Sequence, residues 1–348
     1  MAGSETPPYW AVPFSALAGW DDAEAAALLA GIAPHLAPDI AARPAQAPWL
    51  PSIAPAIAAR AAAAADFVAA HFVPWRVGVR GFLTGYYEPS IPASRTPHGS
   101  FRHPIYRRPD DLVRVHPGRA DLPGDGTFAR RAVDGTTVPY HDRSAIVAGA
   151  LEGRGLELAF VEDPVDAFFA QVQGSARLVF EDGSTARISY HGKTGHPYVA
   201  IGRVLIDRGW LPEGGATMQT IRAVLKAHPE IVDETLAANP SFVFFREREG
   251  VPDDRGAIAA GGVPLTPYRS LAVDRAHVRL GTPVYLETIL PRRGEHHGVT
   301  IAEDTGSAIV GPARGDLFIG SGAEAGEIAG ELKAPATFTL LLPRGVAP

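Results

Sequence analysis

The stretch 303–322 reads EDTGSAIVGPARGDLFIGSG and places two aspartates, Asp304 and Asp316, among glycines between apolar segments. Glycine lets a backbone approach a bulky ligand closely, and a neighbouring carboxyl can then point at that ligand. The same pattern also fits turn aspartates whose side chains cap backbone N–H groups. The stretch therefore predicts short strands joined by tight turns, and it leaves the role of the two carboxyls open.

The composition of the whole chain favours the same class of structure. The 348 residues include 37 Gly and 32 Pro, together about a fifth of the chain against a usual ~12%. Frequent Gly and Pro favour many turns and short strands over long helices. The length suffices for two domains or one large one. We expect a mainly β fold with helices, of the α+β class.

Charge and cysteine content exclude several kinds of function. The chain has 32 Lys and Arg against 38 Asp and Glu, a formal charge of −6, and no long basic run, so nucleic acid is not an expected partner. It has no cysteine, which excludes disulfides, thiolate nucleophiles and iron–sulfur clusters. Beside the pair His296 and His297 no further side chains have metal-ligand spacing. We expect no metal and no cofactor.

The N-terminus gives no targeting signal. Residues 1–20 lack a basic region followed by an apolar stretch, and no apolar run reaches the ~18 residues of a membrane span. We expect a soluble chain without a membrane span.

Local patterns predict individual elements. A cap at Asp21 predicts a helix to Ile32, and Asp163-Pro164 predicts one to Gln173. The Ala-rich stretch 55–72 predicts one helix, ended by Pro74. The turn sequence EDGS at 181–184 lies between two apolar-patterned segments and predicts a β-hairpin.

Further motifs stand in one order along the chain: GYYEP at 85–89, PIY at 104–106, QGS at 173–175, GKTGHPY at 192–198, IG at 201–202, LIDRG at 205–209 and NPSFVFF at 239–245. Together with Asp274 and the stretch 303–322, they resemble the membrane-bound lytic murein transglycosylase A family, which has a C-terminal three-aspartate domain. The resemblance extends from about residue 77 to the end. The sequence departs from the family at Ala176, usually Gly, and at Gly315, often a larger residue.

The resemblance implies a double-psi β-barrel made from both ends of the chain, residues 1–106 with 243–348, in which about 1–75 form a helical part. It implies a second, small β-barrel-like domain inserted at 107–242, which binds glycan. The implied activity is cleavage of the β-1,4 bond between N-acetylmuramic acid and N-acetylglucosamine of peptidoglycan without water, leaving 1,6-anhydromuramoyl ends. The implied partner is a glycan strand, the implied state a monomer, and the implied location periplasmic, with the natural precursor associated with the outer membrane.

The resemblance also assigns site residues. The catalytic acid falls on Asp316 with Asp304 beside it, and Asp274 has a supporting role. The residues implied to bind substrate are Tyr87, Glu88, Gln173, Ser175, Lys193 and His196.

The chemistry is sound for a single acid. The sugar's own C6 hydroxyl attacks C1, so the protein need not position a water, whereas an ordinary glycosidase needs two carboxyls. The one acid needs a raised pKa in a partly dry groove. Asp304 either raises that pKa as a neighbouring negative charge or holds loop amides.

Strand alternation places only one of Tyr86 and Tyr87 in the groove, and we expect Tyr87. Lys193 is the natural partner for a substrate carboxylate.

Two other functions remain open at this point. A hydrolytic, endoglucanase-like enzyme on the same barrel would need a second carboxyl such as Glu88 or Asp304. A non-catalytic, expansin-like wall-binding protein would keep the barrel and one Asp. Anhydro ends, reducing ends or no cleavage would separate the three.

Overall fold

The computed structural model describes residues 9–116, 118–124, 126–252, 254–306 and 308–348. Ser307 of the quoted stretch and residues 1–8 of the predicted N-terminal part lie outside these ranges. The helices are α1 (Asp22–Ile32), α2 (Pro38–Ala41), α3 (Leu50–Ala58), α4 (Ala64–His71), α5 (Arg143–Ala145), α6 (Pro164–Gln173), α7 (Ile201–Asp207), α8 (Met218–Ala227), α9 (Val232–Ala237) and α10 (Ala323–Glu331).

The strands are β1 (Tyr9–Ala11), β2 (Phe72–Val77), β3 (Gly81–Glu88), β4 (Ser90–Ser94), β5 (His103–Tyr106), β6 (Leu112–Arg114), β7 (Phe128–Arg131), β8 (Thr137–Val138), β9 (Glu157–Val161), β10 (Ser175–Phe180), β11 (Thr185–Lys193), β12 (Val243–Arg248), β13 (Ser270–Val273), β14 (Pro283–Leu290), β15 (Gly294–Asp304), β16 (Arg314–Ser321) and β17 (Lys333–Pro343). The mixture of helices and strands confirms the α+β class.

The chain divides into two units, Met1–Tyr87 with Val251–Pro348, and Glu88–Gly250. The inserted unit is longer than the expected range 107–242. The difference arises because β4 and β5 both pair with β9, and β12 pairs with β11, so these flanking strands belong to the sheet of the insert.

The first unit contains a six-stranded β-barrel built from both ends of the chain. Its strands follow one another in the order β17, β14, β15, β13, β16 and β3, and β3 pairs with β17 to close the ring. Leu83, Leu271, Leu286 and Leu317 are fully buried in its core. Burial of apolar side chains from strands far apart in sequence therefore stabilises the barrel.

The N-terminal helices follow the sequence in one place and depart from it in another. Asp21 caps α1 by accepting a hydrogen bond from the Glu24 N–H at 2.9 Å, as predicted. The single helix predicted for 55–72 is wrong, because α3 ends at Ala58 and α4 begins at Ala64. Alanines favour a helix but provide no large side chain to bury between Ile57 and Phe67. Pro74 lies inside β2, where its carbonyl accepts the Val12 N–H.

The inserted unit has its own six-stranded sheet, in the order β12, β11, β10, β4, β9 and β5. A bridge between Arg107 and Phe245 brings the two ends of this sheet together. The predicted hairpin is confirmed, because β10 and β11 are antiparallel around the 181–184 turn. Strands β6, β7 and β8 form a separate small sheet. Across the part of the chain that is described, no helix is long and apolar enough to span a membrane.

Candidate active site

The two aspartates of the quoted stretch lie on strands that flank β13. Ala272 of β13 is the register partner of Asp304 in the parallel strand β15 and of Asp316 in the antiparallel strand β16. Neighbouring strands are 4.7–4.9 Å apart, so the backbones that carry the two carboxyls are about 10 Å apart. The two aspartates therefore lie at the same height along the barrel, one on each side of Ala272.

Asp316 is held through one of its oxygens. The Thr84 hydroxyl donates to Asp316 Oδ1 at 2.6 Å, and Arg314 Nη2 donates to the Thr84 hydroxyl at 2.8 Å. A guanidinium only donates hydrogen bonds, so the Thr84 hydrogen must point towards Asp316. Among the described residues, none bonds to Asp316 Oδ2. That oxygen is therefore the one placed to exchange a proton with a ligand.

The pKa of Asp316 is raised from its ordinary value by burial, although the Thr84 hydrogen bond and the Arg314 charge act in the opposite direction. Of the two roles expected for Asp304, holding loop amides is the one that its contacts favour. A partly exposed carboxyl with a raised pKa has the properties of a general acid.

Asp304 is bound mainly by groups that fix a loop. Its Oδ1 accepts the Ala260 N–H at 3.2 Å, and its Oδ2 accepts the Tyr86 hydroxyl at 3.2 Å. The pKa of Asp304 is raised to about 6, mainly by burial and in smaller part by the Glu303 charge. The Thr305 and Ala260 amides and the Tyr86 hydroxyl act in the opposite direction. Asp304 is therefore a carboxyl whose protonated form burial favours.

Tyr86, rather than Tyr87, faces the aspartates. The Tyr86 ring lies 5.3 Å from the Phe318 ring, and burial together with the negative charges of Asp304 and Asp316 raises the pKa of its hydroxyl. The Tyr87 ring packs against Gly326 of α10, where a Cβ would come within 2.8 Å of it. Tyr86 is thus the one of the two tyrosines that contacts an aspartate, and the expectation that Tyr87 binds glycan stays a prediction. Tyr86 and Thr84 are two residues apart in β3, so their shared face was a signal that the sequence contained.

Asp274 caps a turn. Its carboxylate accepts the Gly311 N–H at 2.8 Å and the Ala276 N–H at 2.9 Å. Burial raises its pKa, but the two amides and His277 outweigh burial, and the net shift is downward. These contacts fit the supporting role expected of Asp274.

In the inserted unit, three of the expected substrate-binding residues lie at one end of the β10–β11 hairpin. Strand β10 begins at Ser175, which pairs with Ser189, and β11 continues past this pair to end at Lys193, so both residues lie towards the open end of the hairpin. Gln173 ends α6, and Gly174 separates it from the start of β10. All three side chains are partly exposed.

Two other expected substrate-binding residues have contacts within the inserted unit. Glu88 is only 1% exposed, and its carboxylate lies 3.4 Å from the Arg187 guanidinium. A ligand cannot reach a carboxylate buried in such an ion pair, so Glu88 is corrected to a buried partner of Arg187. The His196 Nε2 lies 2.8 Å from the Tyr140 carbonyl and donates to it, which fixes the loop after β11.

The motifs missed several residues that contact the aspartates. Thr84 and Tyr86 contact them directly, and Arg314 acts through the Thr84 hydroxyl. Within the described ranges, no group of three His, Asp or Glu side chains is placed to hold a metal ion.

Comparison with known proteins places these features. Residues 82–246 match the MltA specific insert domain and residues 269–342 match the 3D domain. The fold and site thus define a protein with a 3D-domain barrel and an MltA-type insertion. Membrane-bound lytic murein transglycosylase A of Escherichia coli K12 is 38% identical over 256 residues, which cover 71% of this chain and 62% of that protein. The matched part therefore spans less than two thirds of the length of that relative.

Solved structures match over nearly the whole chain. A membrane-bound lytic murein transglycosylase from Agrobacterium tumefaciens is 40% identical with a TM-score of 0.84, covering 97% of this chain and 98% of that one. MltA from Neisseria gonorrhoeae is 34% identical with a TM-score of 0.84, covering 100% and 95%. E. coli MltA with bound chitohexaose is 29% identical with a TM-score of 0.71, covering 99% and 96%. The chain belongs to the membrane-bound lytic murein transglycosylase A (MltA) family.

Proposed function

We propose that the protein is a lytic transglycosylase of peptidoglycan with a single acid/base, Asp316. It cleaves the β-1,4 bond between N-acetylmuramic acid and N-acetylglucosamine without water and leaves a 1,6-anhydromuramoyl end. The observation that carries the proposal is the state of Asp316: a partly exposed carboxyl whose pKa is raised by burial, with one oxygen fixed by Thr84. Membership of the family supports the same activity.

In the first step, protonated Asp316 gives its proton to the glycosidic oxygen, and the bond from that oxygen to C1 of the muramoyl residue breaks. The C6 hydroxyl of the same residue attacks C1, so the new bond closes within one sugar. The proton of that hydroxyl passes to the Asp316 carboxylate. The acid is regenerated and no water is consumed.

Arg314 and Thr84 support both states of the acid. Burial favours the protonated form that donates, and the chain of hydrogen bonds from Arg314 through Thr84 favours the carboxylate that must take a proton back. Because Oδ1 receives the Thr84 hydrogen bond, Oδ2 carries the transferred proton. Opposed effects of this kind suit a residue that acts first as acid and then as base.

In the proposed reaction, residues of the inserted unit bind the glycan and take no part in the chemical step. Gln173 and Ser175 are suited to hydrogen-bond acetamido groups, and Lys193 is suited to pair with the lactyl carboxylate of the muramoyl residue. Their position at one end of the β10–β11 hairpin supports a common role, as does the binding of chitohexaose by E. coli MltA. We propose a glycan strand as the partner of this surface.

Two further proposals concern fold and location. The six-stranded ring includes a parallel pair, β13 with β15, beside antiparallel pairs, which supports a double-psi topology for the barrel. Relatives named as membrane-bound murein enzymes support a periplasmic location associated with the outer membrane.

The test is mass spectrometry of fragments released from purified sacculi. Fragments that lack one water at the muramoyl end support the proposal. Reducing muramoyl ends would instead identify a hydrolase, and binding to sacculi without any release would identify a wall-binding protein. A matched reaction with Asp316→Asn controls for contaminating lytic activity.

A further inference from the structure

A buried polar cluster lies next to Asp304 and takes part in none of the chemistry above. His35, in the 3-10 helix Ala33–Leu36, is 0% exposed. Its Nδ1 lies 3.2 Å from Gln46 Oε1, and its Nε2 lies 3.2 Å from Glu303 Oε1. Gln46 and Glu303 are also buried. Buried polar groups are costly unless they are hydrogen-bonded, so the geometry of such a cluster is tightly constrained.

The Gly261 carbonyl determines which atoms of the cluster donate hydrogen bonds and which accept them. Gln46 Nε2 donates to the Gly261 carbonyl at 2.7 Å. A carbonyl only accepts, so the amide nitrogen must face Gly261 and the amide oxygen must face His35. His35 Nδ1 therefore carries a hydrogen. His35 Nε2 and Glu303 then share one proton, while the Ser270 hydroxyl donates to the other Glu303 oxygen.

The cluster fixes the turn that holds Asp304. The Gly261 N–H donates to the Glu303 carbonyl at 2.7 Å, and the preceding N–H, that of Ala260, donates to Asp304 Oδ1. A Cβ on Gly261 would lie 2.9 Å from the Glu303 carbonyl oxygen and 3.2 Å from His35 Cε1. The turn thus rests directly on His35 and Glu303 and has no room to shift towards them.

We propose that His35 and Gln46 are positioning residues, which hold the Ala260–Gly261 turn and through it orient the Asp304 carboxylate. Two side chains of the N-terminal segment, which carries none of the family's motifs, thereby determine the geometry of the candidate site. The expected effect on turnover rests on the proposed function; the effect on Asp304 itself does not.

The variant Gln46→Glu tests this assignment, because it keeps the shape of the side chain but presents an oxygen to the Gly261 carbonyl. Repulsion between the two oxygens should displace the turn and remove the Ala260 hydrogen bond. That bond lowers the pKa of Asp304, so its loss should raise the pKa above about 6, while Tyr86, Thr305 and Glu303 still face the carboxyl. Carboxyl-carbon NMR titration of the full chain measures the pKa directly.

A second pair of variants separates positioning from stability. His35→Asn keeps a donor near the position of Nδ1, so the pKa of Asp304 should stay near its wild-type value. His35→Gln loses that donor, so the pKa of Asp304 should rise. The control is Glu287→Gln, which loses an ion pair with Arg76 in the same unit but has no contact with the turn. It should leave the Asp304 pKa unchanged even if it lowers the melting temperature.

Turnover gives the second readout. With sacculi as substrate, Gln46→Glu and His35→Gln should lower kcat about 10- to 100-fold with little change in KM, as expected when a carboxyl that supports the site is displaced. An unchanged Asp304 pKa in folded Gln46→Glu and His35→Gln would overturn the proposal. If the wild type forms no anhydro product, the proposed function fails, but the NMR titration still decides the role of His35 and Gln46.

Discussion

Asp304 and Asp316 flank the same residue, Ala272, from strands on its two sides, yet they are held by different kinds of group. Asp316 receives only a side-chain hydroxyl, which Arg314 orients, whereas Asp304 receives a backbone amide from a turn in addition to the Tyr86 hydroxyl. The two carboxyls are therefore not a symmetric pair. Substitutions at each should have separate effects.

Replacing Asp316 is the most direct test of the mechanism. Asp316→Asn keeps the size of the side chain but can neither donate the proton nor take it back. General acid catalysis is worth roughly 10²- to 10⁴-fold, and we expect a loss at the upper end of that range with binding retained. Release of anhydromuropeptides from sacculi measures it. The exposed carboxyl variant Asp39→Asn serves as control, and near-normal release by folded Asp316→Asn would refute the assignment.

Removing the Thr84 hydroxyl should move the pH profile. The Thr84 hydrogen bond lowers the pKa of Asp316, so Thr84→Val should raise that pKa further. The acid must be protonated to begin the reaction, and activity is lost as the pH rises through its pKa. The alkaline limb of kcat/KM should therefore move to higher pH in Thr84→Val.

Thr84→Ser, which keeps the hydroxyl, is the matched control and should retain the wild-type limb. A shift of the limb towards lower pH in Thr84→Val would contradict this account of the hydrogen bond.

Asp304 should make the protein less stable as the pH rises. Its pKa is about 6 in the folded protein against an ordinary value of 3.8, so the folded state binds the proton more tightly than the unfolded state. The contribution of Asp304 to the free energy of unfolding is therefore fully present below pH 4 and decreases between about pH 4 and 6. Urea unfolding of Asp304→Asn across this range should show a flatter pH dependence than the wild type. The variant should also keep more activity than Asp316→Asn.

Lys193 should matter for binding rather than for the chemical step. Lys193→Ala should weaken glycan binding by about 1–3 kcal/mol, the usual cost of losing a hydrogen bond to a charged group. The expected result is a higher KM on sacculi with an unchanged kcat. Lys226→Ala, an exposed lysine on α8, is the control. Abolished turnover at saturating substrate with intact binding would show that Lys193 has a catalytic role instead.

Local signals in the sequence predicted local structure well. The Asp21 cap and the turn at 181–184 act within a few residues, and the corresponding helix and hairpin formed as expected. The break between α3 and α4 could not be predicted from local signals, because it depends on which alanines pack against the core of the folded unit. The boundaries of the insert depend likewise on strand pairing between distant segments.

The candidate site, like the fold, has a part that the sequence predicted and a part that depends on contacts between distant segments. Asp304 and Asp316 stand out because glycines surround them, and the fold brings them to one level of the barrel. Arg314 and Thr84 could not be found in this way, because their role depends on one hydrogen bond between residues 230 positions apart. Glu88 belongs to a conspicuous motif, yet its burial against Arg187 became visible only once the sheet of the insert was assembled.

The closure of the barrel by β3 and β17 has a consequence for the timing of synthesis. Thr84 and Asp316 are 232 positions apart, and a complete unit is translated between them. The entropy of closing such a loop rises by only about 0.6 kcal/mol for each doubling of its length, so the long interruption adds little cost to the finished fold. A growing chain nevertheless has no ring of six strands until β17 has left the ribosome. On the proposed function, a polypeptide able to cut the cell wall stays inert until β17 has been made.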